Sequence, residues 1–146
     1  MKAEALAHWN YAKEDLDLAR RDLAVSPRAA ASRAYYAAFH AVSALFALDG
    51  KIFSKHSALE TAVHKELVKA GLWPQELGAG YSKLFKLRMS SDYDVMESIT
   101  VEAAEAAMCT AKKIMEAVEK SCSQLTTKIG DQGCDTTKSK RLRVGD

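Results

Sequence analysis

Two prolines and seven glycines in 146 residues leave few places where a helix is forced to stop. β-Branched runs are also missing, and alanine is abundant, so a sheet-rich fold is excluded and an all-α one expected. No charge-free apolar run reaches the roughly 18 residues that a membrane helix needs. The nearest approach follows Arg33 and ends at Asp49-Gly50. The opening residues, MKAEALAHWNYAKEDL, carry acids and aromatics and no cleavage pattern, so no secretory leader is expected. The cysteines are odd in number and scattered (Cys109, Cys122, Cys134), which gives neither a disulfide framework nor metal spacing. A reduced, cytoplasmic setting is the expectation. Gly-rich phosphate loops, H-E-x-x-H, C-x-x-C and G-x-S-x-G are all absent, so no metal and no cofactor is expected.

Net charge is small too. The formal net charge is +2. From Thr126 onward five basic residues face three acids, which accounts for that whole excess. Residues 1–125 are thus about neutral and lack the broad basic field that drives non-specific nucleic-acid binding. Contact with RNA or a nucleotide would have to be local. Residues 126–146 are polar and without period, and a disordered tail is expected there.

What is present is a helix-rich pattern centred on Ser26–Leu48. Ser26 suits an N-cap and Pro27 the first helical position. The stretch is apolar almost all round, as in a helix buried among others. Its polar exceptions are Arg28, Ser32, Arg33, His40, Ser43 and the hydroxyls of Tyr35 and Tyr36. Arg33 and His40 share a face, two turns apart. Before it, Leu6, Trp9, Leu16, Ala19 and Leu23 mark an amphipathic helix over about Ala3–Ala24. After it, Ser57-Ala-Leu-Glu60 fits a capping box opening a helix to Ala70, closed by Gly71. A further helix follows Pro74. On it Leu77, Tyr81, Leu84, Phe85 and Arg88 fall on one face, so Arg88 points inward. The segment from Arg88 to Asp94 is expected to fray or bend. The last helix opens at Thr100. Its seam is Val101, Ala104, Met108, Ala111, Met115, Val118, Cys122 and Leu125. The sum is an up-and-down four-helix bundle with an additional short helix over residues 1–125.

Three groups carry possible chemistry. Arg88, Asp92 and Tyr93 cluster at the end of the fourth helix, where a guanidinium can grip phosphate by paired donors. The plainer alternative is an Arg88–Asp92 pair that locks the core. Arg33, Tyr36 and His40 form a second strip, whose plainer account pairs Arg33 with Asp92 or Asp94. His56 is either a general base or part of a helix cap. His8 and His64 read as ordinary surface positions.

The phrases SRAYYAAFHAVSALFALDG, KHSALETAVHKELVKAGLWPQELG and KLFKLRMSSDYDV, in that order, resemble the HEPN (higher eukaryotes and prokaryotes nucleotide-binding) family over about Met1 to Lys120. That resemblance implies a helical bundle, usually a homodimer. It also implies a role in toxin–antitoxin or defence modules, often beside a minimal nucleotidyltransferase. Active members are metal-independent ribonucleases that use an Arg, then usually a polar residue, and a His a few positions on. Arg88 matches that Arg, but Met89 follows it and Tyr93 stands five positions later in place of the His. A phenol, with a pKa of about 10, is a poor base at neutral pH. The expected site is therefore Arg33, Tyr36, His40, His56, Arg88, Asp92 and Tyr93, binding RNA or a nucleotide. The alternative is an endoribonuclease with a degenerate motif at Arg88 and Tyr93.

Overall fold

The computed structural model describes residues 2–93 and 98–122. Regular structure among them is entirely helical. Helices α1 (Lys2–Asp22), α2 (Pro27–Ala47), α4 (Gln75–Tyr93) and α5 (Val101–Ser121) are long; α3 (His56–Ala62) is short and runs straight into a π-helical segment, Val63–Val68. The all-α expectation is met. Among the described residues no helix is long and apolar enough to cross a membrane. The anticipated tail at 126–146, with Leu125, Cys134 and Asp94, lies outside the described residues.

Helix α2 is the post on which α1, α4 and α5 all pack. Its buried face is built from alanine: Ala30, Ala31, Ala34, Ala37, Ala38, Ala41, Ala44 and Ala47. Small side chains let neighbouring helix axes come close, near the short end of the usual ~8–10 Å. Helix α1 answers in kind with Ala5, Ala12 and Ala19, and sets Trp9 and Leu16 between them, all essentially sealed from solvent. Ser26 caps α2 as expected, its Oγ accepting from the Ala29 N–H at 3.1 Å, and Pro27 opens the helix. Gly50 ends the turn after α2 at φ 76°, a left-handed conformation that favours glycine.

Four details depart from the sequence pattern. Helix α3 begins at His56 with Lys55 as an N-cap that offers no side-chain bond, so the capping box at Ser57 does not form. The tertiary contacts of His56, described below, draw the helix cap two residues back, from Ser57 to Lys55. The stretch beyond Ala62 widens into π geometry, which sets His64 and Val68 against the backbone of Gly78. Helix α4 continues through Tyr93 without a break. Arg28 contributes to this by donating from its guanidinium to the Ser91 carbonyl at 2.8 Å, near the end of α4. Finally, the seam of α5 is rotated from the expected one. Val101 is exposed, Met108 is half-buried, and Ala107 and Ile114 lie in the core.

Gly78 is the tightest point between the π turn and α4. A Cβ there would stand 2.6 Å from Val68 Cγ2 and 3.2 Å from the His64 ring. Gly78→Ala gains about 1 kcal/mol of helix propensity. It also forces apart a stiff β-branched side chain and a ring, at a cost of about 1–3 kcal/mol. The expected result is a net loss of stability, read as a lower urea midpoint. A midpoint that stays or rises would show that the π turn yields freely.

Candidate functional site

Arg88 lies on the core-facing stripe of α4, one turn beyond Leu84 and Phe85 and two beyond Tyr81, so its guanidinium emerges at the mouth of the core rather than on the outer surface. Its side chain is only 13% exposed. Nη2 donates to the Tyr36 hydroxyl at 2.9 Å and, more weakly, to that of Tyr93 at 3.4 Å. Nε lies 3.0 Å from Asp92 Oδ2, an ion pair without a well-directed hydrogen bond. Among the described residues Nη1 meets only the Met89 sulfur, at 3.7 Å. The cation also lies 5.4 Å from the centroids of the Tyr36 and Tyr93 rings and 5.8 Å from that of Tyr35. Burial works against the Arg88 charge, but Tyr36, Tyr93 and Asp92 together hold it firmly protonated. The expected cluster of Arg88, Asp92 and Tyr93 therefore forms, and α2 completes it with Tyr36.

His56, the first residue of α3, faces the same two tyrosines. Its ring stacks on Phe39 with centroids 4.3 Å apart and planes 11° from parallel. Its Nδ1 lies 2.6 Å from the Tyr35 hydroxyl. Burial, and then the nearby Arg88 charge, push its pKa down, so it is neutral at physiological pH. Tyr35 is sealed in the core, and burial raises its phenol to about 12. Tyr81, buried behind it, is raised for the same reason. His56 thus joins the Arg88 cluster and does not act as a cap.

Arg33 and His40 belong to a second, adjoining cluster. Arg33 pairs with Asp15 at 3.2 Å and reaches Asp22 at 3.9 Å. The expected pairing with Asp92 is not made; Asp92 pairs with Arg88 instead. His40 and His8 meet Nδ1 to Nδ1 at 2.9 Å. Their centroids are 5.2 Å apart, so the two nitrogens point almost directly at each other, as in an N–H···N bond with one donor and one acceptor. Tyr11 stacks on the other side of His40. His8 is therefore no ordinary surface residue. Nor is His64, which is exposed but bonded to Ser82 Oγ at 2.6 Å. Asp15, His8, Tyr11 and Tyr35 were missed by the sequence pattern. Asp15 had a usable signal, since it sits in register with the buried stripe of Ala5, Trp9, Ala12, Leu16 and Ala19. That is the same argument that turned Arg88 inward.

His40 is depressed to about 4 by burial, then by His8 and His56. A buried neutral histidine stabilises the fold fully above the unfolded value of about 6.5 and loses that contribution as pH falls toward about 4. The melting temperature should therefore drop across that window. His40→Phe, which keeps the ring against Tyr11, should flatten that part of the profile. A slope that survives the substitution would assign it to other groups. In a double-mutant cycle on melting, Arg33 should couple to Asp15 by about 0.5–1 kcal/mol, and to Asp92 not measurably.

Comparison with known proteins bears on the chain as a whole. A family model for the HEPN domain matches residues 5–121. A UPF0332 protein of Thermotoga maritima is 35% identical over 121 residues, which cover 82% of this chain and 92% of that protein. The match spans α1 through α5 and includes every residue of both clusters. With its helical fold, its inward Arg88 and this extent of similarity, the chain belongs to the HEPN domain family, whose function is related to nucleotides and RNA.

Proposed function

We propose that the Arg88 cluster binds the phosphate of a nucleotide or of RNA. The observation that carries the reading is the direction of the hydrogen bonds around Arg88. A guanidinium has donors and no acceptor. Tyr36 and Tyr93 therefore receive from Arg88 and keep their own O–H protons to give to a ligand. Among the described residues Arg88 Nη1 likewise meets no oxygen. These donors suit a phosphate. Tyr93, 66% exposed, offers a ring on which a base can stack. The family resemblance supports the wider role. In it the protein is the binding component of a toxin–antitoxin or defence module, acting as a homodimer beside a minimal nucleotidyltransferase.

A second reading, metal-independent endoribonuclease, is favoured by one feature: His56 sits across Tyr35 and Tyr36 from Arg88 and supplies an imidazole where Tyr93 supplies none.

Titration with AMP and with a short oligouridylate decides between these readings. Arg88→Ala should weaken both by about 1.5–3 kcal/mol, the worth of a hydrogen bond to a charged group. Tyr93→Phe should retain most of the affinity, since the stacking ring stays, whereas Tyr93→Ala should lose more. Unchanged binding in Arg88→Ala would overturn the site. RNA that remains intact in EDTA at saturating protein supports binding alone. Cleavage lost in both Arg88→Ala and His56→Ala would establish the nuclease.

A further inference from the structure

His56 carries a proton on one ring nitrogen, and which one decides whether it can act as a donor or as a base. We infer that Tyr35 holds His56 in the Nε2–H tautomer, so that His56 presents a second N–H to the phosphate bound by Arg88. The inference rests on the phosphate-binding reading above and names the role of a residue on each side of that site.

The argument follows the protons of three buried or half-buried groups. Tyr35 is sealed in the core, so its hydroxyl must place its proton on an acceptor. Among the described residues the close acceptor is His56 Nδ1, at 2.6 Å. If Nδ1 carried the proton and donated to Tyr35 instead, the Tyr35 proton would have to turn toward the Tyr81 hydroxyl. Tyr81 is fully buried, and among the described residues its hydroxyl makes no well-directed hydrogen bond and has the Tyr35 oxygen as its polar neighbour, so its own proton would then be stranded. With Tyr35 donating to Nδ1, Tyr81 is free to lean its proton on the Tyr35 oxygen. Only that arrangement gives every proton in the chain a direction. The phenol keeps its proton throughout, because burial moves it to about 12.

The ring is also fixed in place. Phe39 lies flat against it at 4.3 Å, with Tyr35 and Phe85 stacked farther out. A flip that exchanged the two nitrogens would have to break the Tyr35 bond within this aromatic stack. Nε2 meets no protein group among the described residues, and His56 is half-buried at the edge of the core. Arg88 and His56 flank the same pair of rings, Tyr35 and Tyr36. A phosphate on Arg88 would then face N–H donors from α4 and α3 and an O–H from α2. Tyr35 touches no ligand in this scheme. It is a positioning residue that works through His56. Neutral His56 with its proton on Nε2 has no lone pair to offer the ligand, so it does not supply the base that RNA cleavage requires.

Long-range proton–nitrogen correlation spectra of nitrogen-15-labelled protein without ligand read the tautomer directly. For His56 at neutral pH, Nδ1 should be the unprotonated nitrogen. In Tyr35→Phe the population with a proton on Nδ1 should rise. AMP titration then tests the donor role. His56→Gln places an amide N–H where Nε2 stood and should bind within about threefold of the wild type. His56→Ala and His56→Asn should lose about tenfold, as for one hydrogen bond to a charged acceptor. A protonated Nδ1 in the wild type, or a His56→Gln variant as weak as His56→Ala, overturns the inference while leaving Arg88 as the phosphate site. Failure of the wild type to bind AMP overturns the phosphate reading, and the donor role of His56 with it.

Discussion

The close approach of helices to α2 is the constraint on which the rest of this molecule depends. Eight buried alanines on one helix bring three neighbours near its backbone. A thin interface of this kind has little room for side chains, so the larger ones collect where α2 departs from alanine. Tyr35, Tyr36, Phe39 and His40 form that departure, and both polar clusters are built on them. Arg88 and Asp15 approach because the alanine-lined stretches on either side hold α4 and α1 at the right distance. Structure and site thus share one cause.

Much of this was legible in the sequence because it depends on period. The lengths of α1, α2, α4 and α5 follow from spacing and from a few stops at Ser26, Gly50 and Thr100. The inward course of Arg88 followed from its register with Tyr81 and Leu84. The Arg88–Asp92 pair followed from an i,i+4 step. What escaped is what period does not encode. Asp15 drew no notice in the periodic pattern, although its register was that of the core, and the partner of Arg33 was lost with it. The start of α3 at His56 is set by a hydroxyl and a ring on α2, against a local capping signal at Ser57. The rotated seam of α5 has another origin. Ala107 and Ile114 compete with Val101 and Met108 for the same face, and packing against α2 resolves a choice that spacing leaves open.

The two clusters divide the charge of the site in an instructive way. Arg33 is matched by Asp15 and Asp22 and holds α1 to α2, a structural use of a cation. Among the described residues Arg88 has one carboxylate and two phenols, and its Nη1 meets no oxygen. A cation beside a single carboxylate keeps more of its pull on an anion than one placed between two carboxylates. The difference separates scaffold from site more clearly than the burial of either residue does.

The contact between Arg28 and the Ser91 carbonyl has a bearing on motion. The end of a helix ordinarily opens and closes on its own, at almost no free-energy cost. Here the last turn of α4, which carries Asp92 and Tyr93, is fastened to the first turn of α2 by a hydrogen bond that spans 63 positions of sequence. Opening that turn requires either breaking this bond or loosening the start of the central helix. The rim of the site therefore moves with the core of the bundle, and a ligand held by Tyr93 would feel the cooperativity of the whole fold.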